Sequence, residues 1–237
     1  MGRDYNIPAS WKVPTYSARE ECGLIWLWYG NDEPSDELPW FDGLPRSCRR
    51  TWETSDIWPY HYTRIMDSNF DVYHFPFVHR SVNPGLGPVV VEQEAEDLGD
   101  LIKTRATLDD YADKRKGTRA RKTFVMNVRM PTLLYFEMTS RLWLLASMTP
   151  VDDERTWVFA RYYANMPLGR LVAWLVGRFE YNIVQDQDRR IMDTLPAGPL
   201  EAGDYTYGKA DAGSIIWAKK RRKLIAAAAS QDAPGDR

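Results

Sequence analysis

The chain has only two cysteines, Cys22 and Cys48, among its 237 residues. Two thiols cannot build a disulfide framework, a four-cysteine zinc site or an all-cysteine iron–sulfur cluster. Histidines number three, His61, His74 and His79, so counting alone nearly fixes any imidazole-based metal site. There is no charge imbalance: Lys+Arg 31 against Asp+Glu 33 leaves a formal net charge of −2. That balance argues against nucleic acid or an acidic lipid surface as the main partner. A long hydrophobic run is also missing. The start, MGRDYNIPASW, has no apolar stretch of the kind a signal peptide needs. The longest candidate, Leu168 to Phe179, is broken by Gly169, Arg170, Gly177 and Arg178 and is too short to span a bilayer. These absences predict a cytoplasmic protein with reduced thiols, no membrane span and no nucleic-acid partner.

What is present describes an ordinary globular protein. Hydrophobic residues make up 44% and charged residues 27%, enough to bury a core without disulfide or metal staples. Ten Trp and thirteen Tyr are a high count, and such residues often line pockets and subunit contacts.

Along the chain, Gly23-Leu24-Ile25-Trp26-Leu27-Trp28-Tyr29-Gly30 is an apolar run bounded by glycine, which reads as a buried strand. Arg49 to Ile57 reads as a strand, and Trp58-Pro59 as the start of a helix. The spacing of Tyr62, Ile65, Met66, Asn69 and Tyr73 predicts a helix from about Tyr60 to His74, ended by Pro76. Asn83 to Pro88 reads as a loop. Six β-type runs follow: Val89 to Glu94, Leu101 to Leu108, Thr123 to Met130, Thr132 to Met138, Leu142 to Thr149 and Thr156 to Ala164. Their short links predict an antiparallel meander. The charged stretch Asp109 to Lys122 reads as a solvated hairpin loop, with a docking patch for an acidic partner as the sharper alternative. A long helix starts near Leu168, with Leu171, Val172, Leu175, Val176, Phe179 and Ile183 on one stripe. Val184, Ile191 and Leu195 lie on another, so the helix must bend or shift near Val184 to Asp186. Ser214 to Ile225 closes the folded part.

The chemically informative stretch is Asp67-Ser68-Asn69-Phe70-Asp71-Val72-Tyr73-His74-Phe75-Pro76-Phe77-Val78-His79. Two of the three histidines stand five apart, at a helix end and beyond a proline bend, so both rings can turn to one point. Two imidazoles and one carboxylate make a facial triad that leaves positions on an octahedral Fe(II) open for dioxygen and substrate. Phe70, Phe75, Phe77 and Val78 would keep water away. Asp71, three residues before His74, is placed to accept a hydrogen bond from a ligand imidazole.

The pattern formed by Asp71, His74 and His79 resembles the mononuclear-iron motif of Rieske non-haem iron oxygenase α subunits. The family usually has Asn three residues before the Asp; here Ser68 stands there and Asn69 follows. Cys22 to Trp28 is similar to the strand that closes the Rieske domain. Asp186 to Pro196 resembles the family's late helix, and Ala210-Asp211 to Arg222 its C-terminal element. The resemblance implies an α+β, helix-grip fold (START/TBP-like), an antiparallel sheet packed around a long helix. It also implies a third ligand on the late helix. Asp188, followed five residues on by Asp193, fits the family's acidic spacing and falls on the second stripe. Asp186 is the rival, on the first stripe of a straight helix.

The implied activity is O2 activation at a mononuclear Fe(II) held by His74, His79 and Asp188. It would hydroxylate or demethylate an apolar, aromatic or polycyclic substrate, with Asp71 as an electron bridge. A Rieske [2Fe–2S] cluster needs C-x-H and C-x-x-H pairs, and this chain has neither. The cluster is therefore expected only on a partner chain, a Rieske protein or a reductase, in a homo- or hetero-trimer. Residues 1–47 would be a remnant of the Rieske-domain end and linker, 48–226 the catalytic domain, and 227–237 a disordered tail. Tyr135, Phe136, Trp143 and Phe159 are candidate pocket residues. Two other readings compete: a non-catalytic apolar-ligand-binding protein or inactive truncated subunit, and a metal-dependent hydrolase, which no hydrolytic zinc motif supports.

Overall fold

Most strands follow the periodicity closely in the larger of two compact units, Met1–Cys48 and Arg49–Arg237. The computed structural model describes residues 8, 11, 13, 15–28, 33–47, 49–83, 86–110, 121–200 and 206–231. The charged segment 111–120, read above as a loop or docking patch, lies outside them, as do residues 232–237.

In the smaller unit, β1 (Ala18–Glu21) and β2 (Leu24–Leu27) form an antiparallel hairpin. Its turn is Cys22-Gly23, both at positive φ, 54° and 67°, the backbone that tight hairpins require. Trp26 meets Trp40 edge-on at 6.2 Å, and Arg46 pairs with Glu21. The expectation of a buried strand is wrong here. Ile25 is 81% exposed and Leu27 is also exposed, because a two-stranded hairpin covers only one of its faces.

The larger unit is built on a seven-stranded antiparallel sheet: β3 (Thr51–Trp58), β4 (Leu86–Leu98), β5 (Leu101–Asp110), β6 (Arg121–Arg129), β7 (Leu133–Thr139), β8 (Leu142–Pro150) and β9 (Thr156–Ala164). The strand order is β3-β9-β8-β7-β6-β5-β4. The meander β4 to β9 is as the short links predict. The last strand closes on β3, which puts Trp58 at a strand end and not in a helix. Leu86 to Pro88 are also strand, not loop. Pro88 is tolerated because β4 is an edge strand with register shifts between Leu86 and Glu92. The chain is thus α+β with an antiparallel sheet and helices packed on it. One row of side chains runs across the sheet as Thr104, Met126, Phe136, Leu144, Tyr162 and Trp52.

Helix α1 (Tyr62–Phe70) lays Ile65, Met66 and Phe70 into the core beside Val128, Met148 and Trp217. Burying each such side chain contributes roughly 1.5–3 kcal/mol. His61 is its N-cap, with Nδ1 2.7 Å from the Thr63 hydroxyl, so it lies just outside the helix. The C-terminal helix α5 (Ala212–Gln231) continues past Ile225 through four alanines, the strongest helix formers. Among the described residues no helix is long and apolar enough to cross a membrane.

The long helix contradicts the stripe reading. Helix α3 (Gly169–Phe179) buries Gly169, Ala173 and Gly177, whereas Leu171 is 50% and Leu175 53% exposed. Small residues let the helix lie directly on the sheet: a Cβ at Gly177 would overlap the Trp52 ring, and one at Gly169 the Ala164 carbonyl. The helix continues as a π-helical segment, Glu180–Val184, and then as α4 (Gln185–Met192). The expected shift is therefore present, beginning at Glu180. In an uninterrupted α-helix Asp188 would lie roughly 120° round from Val176. The wider π turn takes that rotation back, and Val176, Glu180, Val184, Asp188 and Met192 all face one cavity.

Asp56 on β3 ties this helix down. Its carboxylate accepts from Arg189 at 2.5 Å and from the Tyr181 hydroxyl at 3.1 Å. Burial pushes its pKa up, but Arg189, Tyr181 and the Ile57 N–H outweigh it and hold it below the ordinary 3.8. A depressed carboxylate contributes stability that is complete above the unfolded pKa and is lost as pH falls through the folded one. Asp56→Asn is therefore expected to lose about 1 kcal/mol at pH 7. Denaturant titrations should show the gap from wild type shrinking once the pH falls below 3.8. An equal gap at both pH values would assign the loss to something other than the charge.

Candidate metal centre

Asp71 ends α1 earlier than the periodicity predicts. It adopts extended backbone, and its carboxylate accepts the Tyr73 N–H at 2.7 Å. This Asx turn, which competes with helix, leaves His74 outside α1 as the N-cap of a one-turn helix, α2 (Phe75–Val78). Pro76 starts that helix instead of ending the previous one, since the first turn needs no N–H from it. His79 caps the other end. The two imidazoles flank one turn and meet edge-on, 5.1 Å apart.

Opposite them stands Asp188. Its Oδ1 is 3.1 Å from His79 Nε2 and 3.6 Å from His74 Nε2. One donor atom from each of the three lies within 4.8 Å of the others. First-row metals bind such donors at about 2.1 Å, which puts neighbouring donors about 3 Å apart, so the spacing fits a bound ion. Asp186 is not in the cluster; it pairs with Arg190 at 2.6 Å on the exposed side. Asp193 accepts from the Tyr60 hydroxyl at 2.6 Å.

The back sides of the imidazoles are held differently. His79 Nδ1–H donates to Gln187 Oε1 at 2.9 Å, and Gln187 donates on to Ser81 at 2.8 Å. That assigns the proton to Nδ1 and leaves Nε2 as the donor atom aimed at Asp188. Burial lowers the His79 pKa, but Asp188 and Gln187 raise it more, so the net shift is upward. His74 Nδ1 is buried without a hydrogen-bond partner among the described residues. The nearest acceptor, Asp71 Oδ2, is 3.6 Å away. For Asp71 burial acts upward, while His74 and the Tyr73 N–H act downward more strongly, so its carboxyl lies below the usual range. A ring with one nitrogen orphaned and the other facing a carboxylate fits a metal ligand whose back side an acid orients.

The cluster forms part of the wall of a cavity of about 390 Å³ bounded by the sheet and the long helix. Most of its lining is apolar, including Leu134, Phe136, Leu144, Met148, Val158 and Val176. Of the aromatic candidates only Phe136 faces it. Tyr135, Trp143 and Phe159 alternate to the other face of their strands. Of the expected shield, Phe75 stacks on His74 at 4.6 Å and on Phe124 at 4.7 Å, but Phe77 is 67% exposed and points outward. Sequence reasoning missed Gln187, Lys122 and Glu180. Gln187 stands beside Asp188 and had a local signal; the other two face the site only through strand pairing and the π turn.

No family model matches this chain. Protein TIC 55, chloroplastic, of Pisum sativum is 30% identical over 78 residues, 32% of this chain and 14% of that protein. The Arabidopsis thaliana protein of the same name is 28% identical over 81 residues, 31% of this chain and 15% of its own length. Among solved structures, NdmB of Pseudomonas putida CBB5 superposes with a TM-score of 0.71 at 15% identity, covering 96% of this chain and 65% of its own. Dicamba monooxygenase bound to 3,6 dichlorosalicylic acid gives 0.68 at 15%, covering 94% and 73%. The quaternary ammonium Rieske monooxygenase CntA, in complex with an inhibitor, gives 0.58 at 12%, covering 88% and 61%. These structures are Rieske non-haem iron oxygenases. The chain resembles that family over nearly its whole length and has the fold of its members.

Proposed function

We propose that this chain is the catalytic part of a Rieske-type oxygenase that hydroxylates or demethylates an apolar, ring-bearing substrate. The observation that carries the reading is the joining of His74, His79 and Asp188 at an apolar cavity in this fold. Iron held by those three side chains would supply activation of O2, with the electrons arriving from a [2Fe–2S] cluster on a partner chain. The protein's own part is positional. Gln187 keeps the proton of His79 on Nδ1, Phe75 packs against His74, and the apolar walls exclude water and hold the substrate. Structures similar in fold include dicamba monooxygenase bound to dicamba and NdmA with caffeine, and ring-bearing molecules of that kind suit this lining.

Asp71 is the electron bridge in this reading. Its carboxylate lies within 3.6 Å of the His74 ring and remains 44% exposed, with Tyr73 and Phe77 exposed beside it. A partner docking there would reach the centre through one imidazole. Residues 1–47 correspond in this proposal to the end of a Rieske domain and its linker, and the assembly to a trimer.

The carboxylate ligand gives a direct test. Asp188→Ala should lower Fe(II) affinity by a factor of roughly 100 or more, since one of three ligands is lost. Asp186→Ala should change it less than roughly threefold, because that side chain serves an exposed i,i+4 pair. Anaerobic iron titration measures both. The reverse order would place the ligand on the other face of the helix. Iron-free protein that binds apolar ligands tightly would favour a carrier instead.

A further inference from the structure

The mechanism above leaves Lys122, Glu137 and Glu180 on the cavity wall unused, and of these Lys122 and Glu137 are exposed whereas Glu180 is not. Glu180 opens the π-helical segment, two turns before Asp188 on the same cavity-facing side. Among the described residues its carboxyl has no hydrogen-bond or ion-pair partner. Exposed acids such as Glu94 and Glu96 have water around them, and Asp56, Asp152 and Asp186 each hold an arginine. A carboxyl kept in an apolar wall without a partner costs stability. The fold maintains it through a further departure, the π turn, and such turns cluster at functional sites.

The charges that face Glu180 are His79, Asp188 and Lys122. Lys122 is the obvious counter-ion, but it is engaged elsewhere. Its Nζ donates to Asn83 Oδ1 at 2.8 Å and lies 5.1 Å over the Phe124 ring. Burial pushes Glu180 up to about 7, with Asp188 adding to the rise and His79 and Lys122 opposing it. A cationic occupant of the cavity would meet an acceptor with no competing donor, and would return the carboxyl to its charged form.

We propose that Glu180 is the polar anchor of this cavity, and that the molecule it selects is an organic ammonium on an apolar ring body. Eight residues separate Glu180 from Asp188, roughly 11 Å along the helix axis. A ring system of one or two fused rings fills that gap. An ammonium held at Glu180 therefore presents the far end of the ring body to His74, His79 and Asp188. The orientation of that far end as the reacting end rests on the proposed oxygenase function; the selection of a cation does not.

The test uses three probes of one shape on the full chain, by calorimetry at pH 7.5, with and without Fe(II). The probes are 2-(aminomethyl)naphthalene, 2-naphthylmethanol and 2-naphthoate. Wild type should bind the amine roughly tenfold or more tighter than the alcohol, the size of a charge-assisted hydrogen bond, and the naphthoate weakest. Glu180→Gln, which keeps shape and removes charge, should abolish the preference for the amine while alcohol affinity holds. Should that variant fail to fold, Glu180→Asp sets the charge one carbon back and should weaken the amine by roughly threefold with the alcohol unchanged. Equal amine affinity in wild type and Glu180→Gln overturns the assignment. So does a preference for naphthoate, which would make Lys122 the anchor, or failure of all three probes to bind. Because the selectivity is read without iron, its presence in a chain that never binds iron would sink the oxygenase reading alone. Its absence in a chain that does bind iron would sink the anchor alone.

Discussion

His74→Ala and His79→Ala are each expected to take bound iron from about one per chain to near zero, with the fold retained. Three donors converge on one point, and loss of an imidazole leaves a two-ligand site that competes poorly with water. The stability cost is smaller than the metal cost. His74 stands at a helix end on the cavity wall, where truncation enlarges an existing space. His79 is buried and hydrogen-bonded to Gln187, so its truncation also leaves Oε1 of that amide without its donor, at about 1–3 kcal/mol. His61→Ala is the control. It removes the N-cap of α1 and should cost about 1 kcal/mol while iron binding is unchanged. Iron analysis after anaerobic loading, with circular dichroism for the fold, reads all three. One iron per chain in both His74→Ala and His79→Ala would mean that the metal site is elsewhere.

The second large effect concerns electrons. Activation of O2 for hydroxylation needs more electrons than one Fe(II) holds, and the 237 residues contain no C-x-H or C-x-x-H pair for a Rieske cluster. The iron-loaded chain is expected to show no sustained turnover with O2 and a reductase. A Rieske protein that docks beside Asp71 should restore it. Hydrogen peroxide carries oxygen together with two of the required reducing equivalents, so it should drive a limited reaction without a partner. Asp71→Asn separates the two routes. It removes a carboxylate 3.6 Å from the His74 ring with little change of shape. Partner-driven turnover should fall by roughly 100-fold or more, whereas iron content and the peroxide reaction should change far less. Sustained O2-dependent oxidation by the isolated chain would end the idea of a separate electron donor. Unchanged partner-driven turnover in Asp71→Asn would remove that residue from the path.

The antiparallel sheet and the histidine pair were legible in the amino-acid order because both are local properties. Alternating β-branched and aromatic runs joined by short links specify neighbouring antiparallel strands, and Thr156 to Ala164 is a strand over the length its pattern predicts. Two histidines five residues apart need only one turn of backbone to share a direction, and that turn is α2. The closure of β9 on β3 joins residues 98 to 112 positions apart, such as Trp58 with Thr156 and Thr51 with Tyr163, and no local pattern encodes it.

The packing of the long helix was decided by tertiary structure against the apparent apolar stripe. Leucine spacing says which side is apolar. Which side can approach a sheet depends on side-chain volume, and at Gly169, Ala173 and Gly177 only the small face fits over Trp52 and Tyr162. The choice between Asp188 and Asp186 depends in turn on a single π turn. Its hydrogen bonds reach one residue further than those of an α-helix and rotate everything after it. The family resemblance implied an acid of the late helix beside the two imidazoles; the rotation decides which acid faces them. The same turn brings Glu180 onto the cavity wall. A change of helix type costs little locally and is stabilised by distant contacts, here Asp56 with Tyr181 and Arg189, so only the assembled fold could select it.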